Sequence, residues 1–204
     1  MNVETDLRSK VAREAATLLY FGAEKEYKQA KTKAAKTFGV HFLPTNLEVA
    51  LELDKIAEEK EGSTRKERLI LMRQEALKIM KLLNAYCPLL IGSVWRGTIR
   101  QGSDIDIAAY SDTPEQAVNI LKENAVKISK TTWTTVNKHG KTLASFHIHA
   151  ETITKMPLEI VVRNLEEAGK KRKCEVFGDE IKGLKTQELE KLLKENPAKQ
   201  FLPS

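Results

Sequence analysis

Hydrophobic residues recur at helical spacing through the first part of the chain. Val11, Ala15, Leu18 and Leu19 would share one face of a helix, so residues 6–36 are predicted to be helical and partly buried. A break is expected near Gly22, because glycine has more conformational freedom than any other residue. The chain is therefore predicted to begin with two helical segments.

Two further helices are predicted between residues 45 and 85. Thr45 and Glu48 have the spacing of a capping box, in which each side chain accepts a hydrogen bond from the other residue's backbone N–H. The helix that they open is predicted to end near Gly62, and residues 64–67 repeat the capping-box spacing. The apolar stripe of the next helix consists of Leu69, Leu71, Met72, Ala76, Leu77, Met80 and Leu83.

After residue 85 the pattern changes to short and alternating apolar runs, which predict β-strands. Strands are expected at residues 89–91, 104–110, 131–137, 141–151 and 156–162, with a hairpin turn at 138–140. Pro114 opens a predicted helix that reaches residue 127, and a last amphipathic helix spans 186–195 before a tail that is expected to be loose. This order predicts an α+β fold, in which a mixed β-sheet packs with helices and follows an N-terminal helical region.

The net charge, the lengths of the apolar runs and the cysteine spacing limit the functions that this chain is expected to have. The 204 residues carry a net charge of +6, which suits polyanionic ligands such as nucleotides or RNA without identifying one. No apolar run approaches the ~20 residues that span a bilayer, and the N-terminus lacks a signal-peptide pattern. Cys87 and Cys174 do not have metal-ligand spacing and are expected to be reduced thiols, so a cytoplasmic location is predicted.

The stretch from residue 88 to 110 carries the candidate chemistry. The first strand ends in Gly92 and Ser93, where the absence of a Cβ lets the backbone approach a phosphate and the serine hydroxyl can donate to it. Asp104 and Asp106 are two residues apart on the next strand, so their side chains point to the same face. Two adjacent carboxylates repel each other unless a cation lies between them, and such hard oxygen ligands suit Mg²⁺.

This arrangement resembles a known family. Gly92-Ser93, ten intervening residues that include Arg96, and then Asp104-x-Asp106 are similar to the motif of the polymerase-β-type nucleotidyltransferase superfamily. The spacing is also that of minimal nucleotidyltransferases, and the N-terminal part is similar in character to archaeal polymerase-β-region proteins. The resemblance is close over residues 88–110 and looser over 85–165. It implies a nucleotidyltransferase fold with a helical region at 1–85, a catalytic core at 86–165 and a C-terminal loop and helix at 166–204.

The resemblance also implies roles for individual residues. Asp104 and Asp106 would hold two Mg²⁺ ions, with Mn²⁺ as an alternative, and a third carboxylate would come from a neighbouring strand. Glu159, alone in an apolar strand, is the expected third carboxylate, with Glu151 as its rival. The residues expected to bind the nucleotide are Gly92, Ser93, Arg96 and Ser103.

Several residues keep two interpretations. Arg96 would contact a phosphate or form a structural salt bridge, and Trp95 would stack on a base or lie in the core. His147 and His149 share a strand face and could bind zinc, although exposed histidines, or polar residues near the nucleotide, are the favoured interpretations. Basic residues at 169–173 form either a solvated turn or a contact with polynucleotide phosphates.

The implied reaction is transfer of a nucleoside monophosphate, with AMP as the expected group, from a nucleoside triphosphate to a hydroxyl, with release of pyrophosphate. The acceptor is left open between RNA, a small hydroxyl compound and a protein side chain, and so is the oligomeric state. Two alternatives are AMPylation of a partner protein, as in toxin–antitoxin pairs, and a non-catalytic module that binds nucleotide or RNA. No membrane partner is expected.

Overall fold

The computed structural model describes residues 3–138 and 141–203, so the predicted hairpin turn at His139 and Gly140 lies outside the described residues. Three helices open the chain: α1 (Val3–Tyr20), α2 (Tyr27–Thr37) and α3 (Asn46–Leu82). The predicted break near Gly22 is confirmed, since Gly22 lies between α1 and α2 with φ +71°. No helix among the described residues is long and apolar enough to cross a membrane.

Helix α3 begins as predicted and bends where its end was predicted. Thr45 Oγ1 accepts from the Glu48 amide at 3.1 Å and Glu48 Oε2 accepts from the Thr45 amide at 2.6 Å, which completes the capping box. Gly62 has φ 53° and ψ −136°, a conformation outside the helical region. The two helices predicted here are therefore two halves of one long helix with a kink at Gly62.

Two hydrophobic clusters divide α3 between them. Its first half packs with α1 and α2 through Val49 and Ile56, whereas its second half, from Leu69 to Met80, packs in the same cluster as the sheet. The change from one cluster to the other therefore falls near the Gly62 kink. The domain limits at residues 85 and 165 remain predictions.

The α+β fold with a mixed sheet is confirmed. Its strands are β1 (Leu89–Ile91), β2 (Ile105–Tyr110), β3 (Lys127–Lys138), β4 (Lys141–Glu151), β5 (Pro157–Arg163) and β6 (Leu184–Lys185). They lie in the order β3-β4-β5-β2-β1-β6, in which β2 and β5 are parallel and the other neighbours antiparallel. The remaining α-helices are α4 (Gly92–Arg96), α5 (Pro114–Glu123) and α6 (Thr186–Glu195).

The two faces of the sheet differ in polarity. Ile105 and Ile107 on β2 are fully buried and belong to the main hydrophobic cluster. Because side chains alternate along a strand, Asp106, Ala108 and Tyr110 lie on the opposite face. We call this opposite face the open face.

Other parts of the chain also differ from the sequence-based prediction, and β3 begins at Lys127 rather than at residue 131. Helix α5 ends at Glu123 rather than residue 127, since Ala125 has φ 58° and Lys127 already begins β3. Strand β6 was not predicted, because two residues carry no periodic pattern. The prediction of a loose tail is wrong: Phe201 donates its amide to the Arg96 carbonyl at 2.8 Å, and its ring stacks on the buried Trp95 at 6.4 Å between centroids. Of the two interpretations of Trp95, the structure therefore supports the core position.

Candidate active site

Gly92 and Asp106 are in direct contact where β1 ends beside β2. Ile91 pairs with Asp106, and Gly92 follows with φ +70°. A Cβ at residue 92 would lie 1.9 Å from Asp106 Oδ2, which is far inside van der Waals contact. Glycine is thus required here both for its backbone conformation and for the approach of the carboxylate.

The structure brings three carboxylates together. Asp106 and Glu159 are directly paired on the parallel strands β2 and β5, and Asp104 precedes β2 by one residue. Oxygen atoms of Asp104, Asp106 and Glu159 lie within 4.8 Å of one another. Glu151 lies at the end of β4, where it pairs with Pro157 and binds Lys127 at 3.3 Å, outside this carboxylate triad.

The carboxylate triad raises the pKa of one of its own members. Burial, together with the negative charges of Asp104 and Glu159, raises the pKa of Asp106 from 3.8 to about 7. A divalent cation would remove this repulsion, and three carboxylates supply the hard oxygen donors that Mg²⁺ and Mn²⁺ prefer. The residues present therefore fit the metal that the sequence predicts. Among the described residues, this is the only group of three His, Cys, Asp or Glu ligands within such a distance.

His147 supports the third carboxylate. Its Nδ1 atom lies 2.7 Å from Glu159 Oε1, and its Nε2 atom lies 2.9 Å from Ser145 Oγ. The His149 ring stacks beside it at 6.4 Å between centroids. Within the described part of the chain, no third ligand completes a zinc site with these two histidines.

The loop before Asp104 is held by α3, a role that the sequence pattern did not reveal. Arg65 donates from Nε to the Ile99 carbonyl at 2.7 Å, and Glu61 Oε1 accepts from the Gln101 amide at 2.8 Å. Ser103 Oγ accepts from the Arg100 amide at 2.9 Å, which closes the loop on itself. The kinked part of α3 therefore fixes the approach to the carboxylate triad.

A cavity of about 330 Å³ opens beside the carboxylate triad, and all four predicted nucleotide-binding residues, Arg96 included, line it. Its walls include Gly92, Ser93 and Ser103, and we call it the Gly92 cavity. Tyr27 of α2 and Phe177 close it from the other side. Burial raises the pKa of the Tyr27 hydroxyl to about 12. The N-terminal helices thus form part of the cavity, which no motif in residues 1–85 indicated.

Arg96 is engaged in contacts with the C-terminal part of the chain. Its guanidinium donates to both carboxylate oxygens of Asp179, at 2.6 and 3.1 Å, and to the Phe201 carbonyl at 3.1 Å. It lies 4.4 Å from the ring centroid of Trp95 and 4.3 Å from that of Phe177, and only 3% of the side chain is exposed. These contacts match the structural salt bridge that the sequence left as an alternative, whereas phosphate binding by Arg96 remains a prediction.

Part of the basic stretch at residues 169–173 is neutralised within the chain. Lys170 and Arg172 both bind Glu167, and Lys171 lies 3.2 Å from Glu180. Neither the solvated-turn nor the polynucleotide interpretation anticipated these ion pairs.

One comparison with known proteins agrees with the motif. The family model for a nucleotidyltransferase domain matches residues 88–195. Solved structures that match part of the chain include a cytoplasmic RNA terminal U-transferase (13% identity, 57% of this chain and 34% of that chain, TM-score 0.33) and Cid1 in complex with the UTP analogue UMPNPP (13% identity, 57% and 37%, TM-score 0.34). The chain matches little more than a third of the length of these structures. No curated protein sequence matches it.

Proposed function

The chain belongs to the nucleotidyltransferase domain family, and we propose that it is an enzyme that transfers a nucleoside monophosphate from a nucleoside triphosphate to a hydroxyl acceptor with Mg²⁺ and releases pyrophosphate. AMP is the group expected to be transferred. The observation that carries the proposal is the contact between Gly92 and the carboxylate triad: the turn suited to phosphate and the residues suited to a divalent cation touch each other.

Asp104, Asp106 and Glu159 would hold the metal. When bound, two divalent ions in such a site neutralise the carboxylates and stabilise the attacking and leaving oxygens of an in-line displacement at phosphorus. The raised pKa of Asp106 supports this assignment, because it reflects burial of the carboxyl and then repulsion by Asp104 and Glu159, both of which a bound cation would offset.

Gly92 and Ser93 would orient the triphosphate. The Ser93 hydroxyl lines the Gly92 cavity, and so do Ser103 and Arg100, whose guanidinium adds positive charge to the cavity wall. Position and charge are the main contributions that a protein makes to phosphoryl transfer, because little covalent chemistry falls to its side chains.

Glu159 would accept the proton of the acceptor hydroxyl. In the proposed step, the hydroxyl oxygen forms a bond to the α-phosphorus, the bond from that phosphorus to the bridging oxygen breaks, and pyrophosphate leaves. The hydrogen bond from His147 fixes the orientation of Glu159 for this role.

A labelling reaction tests the proposal. The protein is incubated with each α-labelled nucleoside triphosphate and Mg²⁺, with and without cellular RNA, metabolite and protein fractions, beside an Asp104→Asn/Asp106→Asn variant. Transfer of label by the intact protein alone is expected, and the labelled fraction identifies the class of acceptor. Nucleotide binding without transfer or pyrophosphate release in any fraction would contradict the proposal.

A further inference from the structure

A second and larger cavity, of about 710 Å³, lies on the open face of the sheet. Its floor includes Ile91, which pairs with Asp106, and Ala108 and Tyr110, which follow Asp106 on the same face of β2. At about 3.3 Å per strand residue, Tyr110 lies roughly 13 Å from Asp106 along the strand. The cavity is therefore a continuation of the surface that carries the carboxylate triad, and we call it the Tyr110 cavity.

Positive charge dominates the lining of the Tyr110 cavity. Residues 168–172 and 180–182 line it together with the strands, and their only acidic member is Glu180. The cationic lining residues are Arg163, Lys170, Lys171, Arg172, Lys182 and Lys185. Three of these cations have carboxylate partners, since Lys170 and Arg172 share Glu167 and Lys171 binds Glu180. The surplus of cations makes the cavity attractive to anions.

Two guanidinium groups in this cavity have unused hydrogen-bonding capacity. Arg163 on β5 is partly buried and pairs with Tyr110 of β2 in the sheet, and it has no salt bridge within the described part of the chain. Burial, and then the neighbouring charge of Arg172, lower the pKa of Arg163. The Nε atom of Arg172 is buried and has no hydrogen-bond partner among residues 3–138 and 141–203.

Like charges that are close together and short of acceptors are costly unless an anion joins them. Arginine pairs suit a phosphate, because the planar guanidinium donates two parallel hydrogen bonds to its oxygens. The floor supplies apolar contact from Leu89, Ile91 and Ala108. A phosphate group attached to an organic moiety therefore fits both parts of the lining.

We infer that the Tyr110 cavity binds a phosphate ester through Arg163 and Arg172, and that this ester is the acceptor of the transfer reaction. The second half of the inference rests on the proposed function. The Gly92 cavity would hold the nucleoside triphosphate, so both ligands can be bound together. An acceptor whose phosphate lies beside Arg163 would extend along β2 and place its hydroxyl at Glu159.

Binding is tested in the full-length Asp104→Asn variant, so that no turnover occurs, with a saturating non-hydrolysable nucleoside triphosphate in the Gly92 cavity. The probes are inorganic phosphate, ribose 5-phosphate and a 5′-phosphorylated oligoribonucleotide. Their binding is measured by calorimetry. We expect Arg163→Gln and Arg172→Gln each to weaken probe binding by about tenfold or more, the loss typical of a charge-assisted hydrogen bond. Lys173→Gln is the matched control, because this exposed lysine lies on the same segment but does not line the cavity.

The probes distinguish two sources of the phosphate. A polynucleotide would bind more tightly than ribose 5-phosphate, and its salt dependence would fall by about one unit of slope for each removed arginine. Equal affinity of the two probes would indicate a small phosphorylated acceptor. Equal effects of all three substitutions, or no binding of any probe, would overturn the inference. Thermal unfolding of each variant checks folding, and the partly exposed Arg172 keeps the test decisive if Arg163→Gln does not fold.

The inference and the proposed function can fail separately. Wild-type protein that binds phosphate in an Arg163-dependent manner, but transfers no label, would retain the site and remove the acceptor role. Transfer that proceeds with an unchanged KM for the acceptor in Arg163→Gln and Arg172→Gln would retain the proposed function and overturn the site.

Discussion

The side chains of His147 and Glu159 join neighbouring antiparallel strands, with 2.7 Å between Nδ1 and Oε1. The other ring nitrogen, Nε2, lies 2.9 Å from Ser145 Oγ. A ring held at both nitrogens has a fixed orientation, so it restricts the rotamers of the carboxylate that it contacts. His147 is therefore a positioning residue for the third carboxylate of the triad.

Replacing His147 is expected to slow the reaction without weakening nucleotide binding. In His147→Ala, kcat should fall by about 10- to 100-fold, as for other residues that orient a ligating carboxylate. The KM for the nucleoside triphosphate should be unchanged, because Glu159 lies on the acceptor side of the proposed reaction. Steady-state kinetics of pyrophosphate release measures both.

His149→Ala is the matched control for this substitution. It removes the same ring from the same strand face, but the described residues show no hydrogen bond between His149 and a carboxylate side chain. Loss of kcat to the same extent in both variants would mean that the histidines support the strand rather than Glu159.

The carboxylate triad is expected to make the stability of the metal-free protein depend on pH. The pKa of Asp106 is raised from 3.8 to about 7 by folding, so the folded protein binds this proton more tightly than the unfolded chain does. The free-energy contribution of Asp106 is therefore increasingly unfavourable as the pH rises from about 4 to about 7. In EDTA, Asp106→Asn should be more stable than the wild type at about pH 8, with a smaller difference at about pH 5.

Addition of Mg²⁺ should reverse the order of stability of the wild type and Asp106→Asn. Because Mg²⁺ relieves the repulsion between the carboxylates, it should raise the Tm of the wild type more at about pH 8 than at about pH 5, and it should have little effect on Asp106→Asn. Thermal unfolding with EDTA or Mg²⁺ provides the comparison. An equal response of the two proteins to Mg²⁺ would contradict the assignment of Asp106 as a ligand.

Alanine substitutions at two glycines with similar backbone conformations distinguish the cost of backbone strain from the cost of a steric clash with Asp106. Gly92 and Gly102 have φ +70° and +80°, but a Cβ would meet Asp106 at residue 92 and nothing within 4 Å at residue 102. Gly102→Ala should cost about 1–2 kcal/mol of stability from its backbone conformation alone. Gly92→Ala should cost about 1–3 kcal/mol more and abolish transfer, because Asp106 must move.

Urea unfolding and the labelling reaction measure these effects. The informative quantity is the difference between the two variants, since both replace glycine with alanine at a positive φ. Equal stability and activity in Gly92→Ala and Gly102→Ala would show that Asp106 moves aside without consequence.

Arg96 has two interpretations that predict opposite measurements. As the buried partner of Asp179, its replacement in Arg96→Gln should destabilise the protein by about 3–5 kcal/mol and increase hydrogen exchange around Phe201, whose carbonyl accepts from the Arg96 guanidinium. As a phosphate ligand alone, the same change would leave stability unaltered and raise the KM for the nucleoside triphosphate. Arg100→Gln is the control, because Arg100 lines the Gly92 cavity without a salt bridge among the described residues.

The parts of this protein that the sequence determined are those set by short-range geometry. The period-2 alternation of a strand predicted that Asp104 and Asp106 share one face, and although Asp104 immediately precedes β2, oxygen atoms of the two side chains lie within 4.8 Å of each other. A capping box depends on residues three positions apart, so Thr45 and Glu48 were sufficient to locate the start of α3. The spacing from Gly92 to Asp106 indicated the family because the whole motif is contained in a short segment of sequence. This segment connects the adjacent strands β1 and β2.

Tertiary structure decided what depends on residues that are distant along the chain. Glu159 rather than Glu151 joins the carboxylate triad because β5 pairs in parallel with β2, a register that neither strand encodes alone. Arg96 meets Asp179 across 83 residues of sequence, and its partner cannot be recognised from the local pattern. The free energy of burying a charged or polar side chain depends on all the groups around it. Those groups come from distant parts of the chain, so the surroundings of Arg163 and Tyr27 became apparent only in the folded structure.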